Sequence, residues 1–211
     1  RIMIFKASTQ PTIGMDILTI FTAAFLNIVS LIALYKIKLI NEIFGLNHMK
    51  LITDITTCSA VEKELLKKND RRGFSVALNA EKLIRLHKDN SFRHVVSNAT
   101  FLVVDGAGSQ IWLKRNFGIK SVKVDFPNYM FNVANFKSLS VGVLGGDNEA
   151  AKQNRQILTN AWPKINFQFV KCGYLDLDHI ISILESKPPK VCFLALGSPK
   201  QEHLADYLSS K

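Results

Sequence analysis

Polar or glycine-rich turns follow short apolar runs at four places in this 211-residue sequence. Glycine lets a backbone approach a ligand closely, and a short polar side chain at such a turn can bond one. A sequence with several turns of this kind can therefore build a binding or catalytic site. The four turns are Asn79-Ala80-Glu81-Lys82, Asp105-Gly106-Ala107-Gly108, Gly145-Gly146-Asp147 and Gly197-Ser198-Pro199-Lys200-Gln201-Glu202.

Asp105 is the carboxylate best placed for catalysis. It ends the apolar run FLVV, which should hold it rigidly, and Gly106 and Gly108 leave space beside it. The alternative is that Asp105 caps a helix or shapes a turn, and the residues alone leave both interpretations open.

The last turn indicates an anionic ligand. A proline precedes Lys200 and predicts the first turn of a helix, and a lysine is unfavourable at that positive end unless an anion lies there. Gly145 and Gly146 could likewise admit a phosphate, although a glycine pair often makes only a tight turn. A solvated helix start at Lys200, Gln201 and Glu202 is the alternative.

Common nucleotide and metal motifs are missing from the sequence. It has no G-x-x-x-x-G-K-[ST] loop, and the segment GAGSQIW lacks the third glycine of the dinucleotide fingerprint. Cys58, Cys172 and Cys192 show no Cys-x-x-Cys spacing, so neither a zinc site nor a disulfide framework is indicated. A reducing compartment is the simplest interpretation.

The segments around the four turns predict an α/β domain. Runs rich in Val, Phe or Leu predict strands at 74–79, 100–105, 140–146, 166–171 and 190–197. Helical spacing predicts helices at 80–98 (broken near Asn90), 108–117, 127–135, 148–161, 176–186 and 199–209. Strands that alternate with crossover helices form a parallel sheet with helices on both faces, a Rossmann-like sandwich. Ligands bind such sheets at the carboxyl ends of the strands, where all four turns are expected.

Residues 1–48 form an apolar N-terminal segment before the domain at 49–211. Within it, residues 17–35 carry no charge and are about as many as the roughly 20 that a membrane-spanning helix needs. Polar residues dilute this run, so a buried or interfacial helix is the alternative. Lys36, Lys38 and Lys50 follow it, which would place the downstream domain in the cytoplasm.

A formal net charge of +10 indicates an anionic partner. Phosphate-rich small molecules, acidic lipid surfaces and nucleic acid all qualify. The basic residues are dispersed, and no basic stretch is interleaved with aromatic side chains. We therefore expect no nucleic-acid partner.

The four turns, in this order and spacing, resemble the hallmarks of the WecG/TagA/CpsF glycosyltransferases. The resemblance runs over about residues 50–208 through the segments LNAEKLIRLHKDNSFRHVVSNATFLVVDGAG, VGVLGGDNEAAKQNRQIL and FLALGSPKQEHLADY. It implies an inverting, metal-independent enzyme that needs no cofactor. The donor would be a UDP-linked, N-acetylmannosamine-type sugar, and the acceptor polyprenyl-diphosphate-linked N-acetylglucosamine at the cytoplasmic face of the bacterial inner membrane. The products would feed teichoic acid or related surface polysaccharides.

The resemblance also implies a role for each turn. Asp105 matches the aspartate that the family uses as a base for the acceptor hydroxyl, and Asn79 could hydrogen-bond a sugar or orient the acceptor. Lys200 and Gln201 could donate to the diphosphate as the leaving group gains charge. The residues expected to bind the substrates are Gly145, Gly146, Gly197, Lys200, Gln201, Glu202, Asp125 and Lys120.

The sequence departs from the family pattern in three ways. Ala77 stands where many members have threonine. The Arg-Val-x-Gly-x-Asp segment is here KSVKVDF, in which Lys120 keeps the charge but not the bidentate fork of arginine, Lys123 replaces glycine and Asp125 is retained. The family continues with a basic, membrane-seeking tail, which is expected to be missing after Lys211.

These departures keep a second hypothesis open, a non-catalytic, membrane-tethered module that binds a nucleotide-sugar. Turnover of a UDP-sugar would separate the two hypotheses. Under either one the expected partners are a UDP-sugar and the membrane surface, with the lipid-linked acceptor added for the enzyme. Self-association into a homo-oligomer is left open.

Overall fold

The computed structural model describes residues 50–53, 59, 62 and 73–210. The described residues lie in one compact unit. The strands are β1 (Lys50–Ile52), β2 (Ser75–Leu78), β3 (Phe101–Val104), β4 (Ser140–Gly145), β5 (Asn166–Lys171) and β6 (Val191–Ala195). The helices described in full are α1 (Ala80–Lys88), α2 (Asn90–Ser97), α3 (Gly106–Phe117), α4 (Phe126–Phe136), α5 (Asn148–Ala161), α6 (Leu177–Ser186) and α7 (Lys200–Ser209).

The predicted elements of the α/β domain are all present, with ends that agree to within two residues. The predicted break near Asn90 is also confirmed, because Asp89 ends α1 and caps α2. The structure adds β1, a strand of three residues that the sequence analysis missed. The apolar helix predicted at 17–35 lies outside the described residues. Among the helices described, none is both long and apolar enough to cross a membrane.

The strands form two parallel three-stranded sheets, in the orders β1-β3-β2 and β5-β4-β6. The prediction of parallel pairing is confirmed, whereas the prediction of a single sheet is corrected. Each sheet has one central strand, β3 in the first and β4 in the second. No strand pairing joins the two sheets among the described residues, but their side chains are in contact. Val191 and Phe193 of β6 pack against the hydrophobic cluster that includes Phe101 of β3. Periodicity along a strand identifies the strand but not the edges that pair, so the sequence could not separate the sheets.

Helices cover both faces of β3, whose four residues are all buried. Leu102 packs with Leu86 of α1 and Phe92 of α2. Val103 packs on the other side, with Phe126 of α4. Because successive side chains of a strand point to opposite faces, the continuous apolar run FLVV needs cover on both.

β4 is covered in the same way, and α4 links the two sheets. Val141 packs with Ala134 of α4, while Leu144 packs with Ile180 of α6 and Leu204 of α7. The first half of α4, through Phe126, belongs to the cluster of the first sheet. A single helix therefore contributes to the cores of both sheets.

The helix starts fall into two groups. In α1, α2, α4, α5 and α6 an Asn or Asp side chain accepts a hydrogen bond from a backbone N–H of the first turn. These caps satisfy donors that the helix itself leaves unpaired. α3 and α7 begin without a side-chain cap. Both of these helices start at turns that the sequence analysis selected.

Gly142 of β4 provides a test of the core. It pairs with Phe169 of β5, and a methyl group at Gly142 would collide with the Phe169 ring. We expect Gly142→Ala to lower the free energy of unfolding by about 1–3 kcal/mol, because overpacking forces side chains off their rotamers. Urea denaturation measures this. The double variant Gly142→Ala/Phe169→Leu should lose less unfolding free energy than the two single variants lose together, because the smaller side chain relieves the collision. Additive losses would contradict the collision.

Candidate functional site

The carboxyl ends of β2 and β3 bring two of the selected turns together. Leu78 and Val104 are paired, so Asn79 and Asp105 follow at neighbouring positions. The Asp105 N–H donates to the Leu78 carbonyl at 2.9 Å, which extends the ladder by one bond. A Cβ on Gly108 would lie 3.0 Å from the Cβ of Ala80, so the starts of α1 and α3 are in close contact.

The Asp105 carboxylate is exposed and unbonded among the described residues. It precedes α3 but makes no side-chain cap, so the capping role that the sequence left open is not realised. The next residue, Gly106, has φ of 82° in the left-handed region, and no atom lies within 4 Å of the position that its Cβ would take. An acidic oxygen with open space beside it is available to a ligand.

Asn79 makes the cap that Asp105 does not. Its Oδ1 accepts from the Lys82 N–H at 2.9 Å and so fixes the first turn of α1. This bond uses the side-chain oxygen and leaves the amide –NH₂ as a donor. The nitrogen is therefore a donor that Asn79 can offer to a substrate, in addition to the second lone pair of its oxygen.

A buried ion pair joins the first turn of α1 to the first turn of α7. Lys82 Nζ lies 2.7 Å from Glu202 Oε1, and the two side chains are 6% and 2% exposed. Gln201 Nε2 donates to the same oxygen at 2.9 Å. The ion pair thus connects two turns that are far apart in sequence. Glu202 holds the side chains of Lys82 and Gln201 in place. Contact of Glu202 with a substrate stays a prediction.

Glu202 is ionised in spite of its burial. Burial by itself would raise the pKa of Glu202, but the hydrogen bonds from Lys82 and Gln201, together with the charge of Lys82, outweigh it and lower the pKa below its usual value of 4.5. The pairing of Glu202 with Lys82 was not predicted from the sequence. One signal was present: Lys82 takes the third helical position, where a capping box would have Glu or Gln.

The ends of β4 and β5 meet the start of α7. The Gly173 N–H donates to the Gly146 carbonyl at 2.8 Å, and Lys200 Nζ donates to the Gly173 carbonyl at 3.1 Å. Gly197 has φ of 79° and, like Gly106, has open space where a Cβ would be. Sequence reasoning missed Gly173, although it repeats the pattern of a glycine shortly after a strand.

Gly145 has a structural explanation. A Cβ on Gly145 would lie 2.6 Å from the Cβ of Ala195 and 2.8 Å from its carbonyl oxygen. Gly145 and Ala195 are paired between β4 and β6, so the missing side chain lets these strands approach. Contact of Gly145 with a nucleotide stays a prediction.

Lys120 and Asp125 lie in a segment that reaches the end of β1. The Val122 N–H donates to the carbonyl of Thr53, the residue that follows β1, at 2.9 Å. Asp125 caps α4 by accepting from the Asn128 N–H at 3.1 Å, and Lys120 is exposed. Both residues are therefore at the same edge as Asp105, but no hydrogen bond or ion pair joins them to it in the described part of the chain.

Nothing in the described ranges forms a cluster of three His, Cys, Asp or Glu side chains that could hold a metal ion. Cys172 and Cys192 are free thiols. Burial raises the pKa of Cys192 to about 12, which keeps it protonated and unreactive near neutral pH. The groups described at this edge include the Asp105 carboxylate, the amides of Asn79 and Gln201, Lys200 and two helix starts that no side chain caps.

The chain is an α/β protein whose strand ends carry a carboxylate, amides and a lysine, which are the kinds of group that bind anions and transfer protons. A family model described as the glycosyl transferase WecG/TagA/CpsF family matches residues 42–211. The chain belongs to this family of glycosyltransferases, as its turns predicted. The family serves cell-surface polysaccharide synthesis.

The Lys82–Glu202 pair leads to a stability prediction. Lys82→Met or Glu202→Gln should each lower the free energy of unfolding by about 3–5 kcal/mol, because each leaves an unpaired charge or polar group buried. The double variant Lys82→Met/Glu202→Leu should lose far less unfolding free energy than the two single variants lose together, because no charge is left unpaired. The matched control is Glu81→Gln, which removes the exposed partner of Arg85 on the same helix and should change stability by less than about 0.5 kcal/mol. Additive single effects in urea denaturation would refute the coupling.

The lowered pKa of Glu202 predicts how this contribution depends on pH. A lowered folded-state pKa stabilises the fold fully above the unfolded value of 4.5, and the gain is lost as pH falls through the lower folded value. The stability difference between wild type and Glu202→Gln should therefore be constant near neutral pH and shrink below about pH 4.5. Urea denaturation at a series of pH values measures it, and a gap that widens on acidification would contradict the assignment.

Proposed function

We propose that the protein transfers an N-acetylmannosamine-type sugar from a UDP-sugar to polyprenyl-diphosphate-linked N-acetylglucosamine, with inversion at the anomeric carbon. The observation that carries this proposal is the exposed Asp105 carboxylate, which makes no cap and lies at the same edge of the domain as Lys200. Family membership supports the sugar transfer itself. The choice of sugar and acceptor rests on the resemblance of the four turns.

Asp105 is the proposed general base. It accepts the proton of the acceptor hydroxyl while that oxygen forms a bond to the anomeric carbon of the donor. The bond from this carbon to the diphosphate oxygen breaks, and its electron pair leaves with UDP. One displacement on the face opposite the leaving group inverts the anomeric centre. The open space at Gly106 gives the acceptor sugar room to approach.

Lys200 and the start of α7 are the proposed partners of the leaving diphosphate. One of the three Lys200 donors is used by the Gly173 carbonyl at 3.1 Å, which leaves two for phosphate oxygens. The start of α7, which no side chain caps, adds partial positive charge. Both groups favour the transition state, in which the diphosphate gains charge. With these groups present we expect the transfer to proceed without a metal ion.

Gln201 and Asn79 are proposed to orient the sugars. Gln201 Nε2 is held by Glu202, so its carbonyl oxygen is free to accept from a sugar hydroxyl or acetamido N–H. Asn79 adds a donor, since its oxygen already accepts from the Lys82 N–H and its nitrogen can donate. The two amides thus offer complementary hydrogen bonds near Asp105.

We place the reaction at the cytoplasmic face of the bacterial inner membrane. A polyprenyl-linked acceptor is confined to a membrane, and the resemblance implies this face. The net charge of +10 supports it, because anionic lipids attract basic proteins.

Asp105→Asn is the direct test. The change preserves shape but removes the base, so we expect turnover by the full-length protein to fall by about 10²- to 10⁴-fold while UDP affinity and Tm stay near wild type. The matched control is Asp89→Asn at the start of α2, where asparagine caps equally well. The control should keep turnover within about twofold, because helices that follow parallel strands end at the opposite edge of the domain.

Two outcomes would contradict the role of Asp105. Turnover could be retained in Asp105→Asn, or it could fall only in step with a loss of folding. Asp125 would then be the next candidate for the base. If wild-type protein binds UDP but shows no turnover with any donor, the non-catalytic binding module is the better hypothesis.

A further inference from the structure

One buried hydroxyl lies beside the proposed base. Ser109, in the first turn of α3, is 1% exposed, and Lys82 and Glu202 are the other buried polar side chains in the described part of the chain. Those two pair with each other. The Ser109 Oγ is instead 2.5 Å from the carbonyl oxygen of Asp105 and 2.8 Å from that of Gly106. The hydroxyl has one proton, which it donates to either oxygen or shares between them. It therefore binds the backbone that carries the Asp105 carboxylate.

The carbonyl to which Ser109 donates distinguishes this bond from an ordinary one. Hydroxyls in helices often donate to a carbonyl one turn earlier, as Thr159 does to Arg155 in α5 at 2.8 Å. In α1, α2, α4, α5 and α6 the carbonyl of the capping residue accepts from the backbone N–H four residues later, at 2.9–3.1 Å. At α3 the Asp105 carbonyl has no such backbone bond within the described residues, and the Ser109 hydroxyl takes that position.

Gly106 explains why the backbone bond is missing. Its φ of 82° is left-handed, whereas a helical residue has φ near about −63°. Glycine adopts left-handed and right-handed conformations about equally well, so its own preference does not hold this one. The open space around Gly106 shows that side-chain packing does not hold it either. The Ser109 hydroxyl binds the carbonyls on both sides of the Gly106 Cα, so it is the contact that fixes this conformation.

We propose that Ser109 is a positioning residue that keeps the Asp105 carboxylate free for catalysis. Without the hydroxyl, Gly106 can turn to the right-handed conformation and α3 can begin as the capped helices do. The Asp105 carboxylate then accepts from the Gly108 N–H, three residues on, which is the bond that the other five caps make. A carboxylate used as a cap is turned away from the acceptor hydroxyl. The inference rests on the proposed function, in which Asp105 is the base.

The test is Ser109→Ala in the full-length protein. Turnover should fall by about 10- to 100-fold because the base is misplaced, while UDP affinity changes by less than about twofold. The Tm should equal or exceed that of wild type, because a new cap stabilises α3. A serine with only a structural role would give the reverse, a lower Tm with turnover kept. The matched control is Thr159→Ala, which removes a similar hydroxyl near the end of α5 and should keep turnover within about twofold.

Amide hydrogen exchange at Gly108 detects the new cap directly. No side chain caps α3 in the wild type, so exchange at Gly108 should slow by about tenfold or more in Ser109→Ala. Gly106→Ala should protect Gly108 as well, because alanine disfavours the left-handed conformation.

Three results would overturn the inference: no protection of Gly108 in either variant, turnover retained in Ser109→Ala, or turnover that falls together with Tm. A wild-type protein that transfers no sugar would instead overturn the proposed function. Exchange at Gly108 would still decide whether Ser109 keeps the carboxylate out of the cap.

Discussion

The buried Lys82–Glu202 pair is the interaction on which the geometry of the site depends. α1 follows β2 of the first sheet and α7 follows β6 of the second, so a bond between their first turns fixes one set of strand ends against the other. Removing two charges from water is costly, and the cost is recovered only when both partners are in position. The pair therefore favours one arrangement of the two turns. At the other end of α7 a hydrogen bond from Asn98 to Asp206, at 3.0 Å, holds the helix against α2.

The described domain has two kinds of helix start, with and without a side-chain cap. Caps by Asn79, Asp89, Asp125, Asp147 and Asp176 each contribute about 1 kcal/mol by satisfying first-turn donors. α3 and α7 lack a side-chain cap, and both begin at the edge where the ligand is proposed to bind. A bound anion or substrate can accept from first-turn N–H groups there, although in α7 the Gln201 N–H already donates to the Gly197 carbonyl at 3.0 Å. The fold thus gives up local stability where binding can replace it, a common compromise at functional sites.

The sequence predicted what is local and missed what depends on distant pairing. Strands such as FLVV carry their own signal because both faces are buried, and their ends agree with the structure. β1 has only three residues, too few for a periodic pattern. The division into two sheets and the partner of Glu202 both depend on contacts between segments far apart in the chain. Asp105 could be selected from its position after a strand, but only the structure distinguishes a free carboxylate from a cap.

The glycines illustrate why residue type alone was ambiguous at this site. Gly145, Gly106 and Gly197 all lie at or just beyond the ends of strands, and sequence reasoning treated them alike. In the structure the missing side chain of Gly145 makes room for Ala195, so a neighbouring strand already occupies the space. Gly106 and Gly197 instead have left-handed backbones with open space beside them; Gly106 is the first residue of α3, and Gly197 precedes α7. Close approach of a substrate to the backbone is therefore available at Asp105 and at Lys200, the two residues to which the proposed mechanism assigns the proton and the leaving charge.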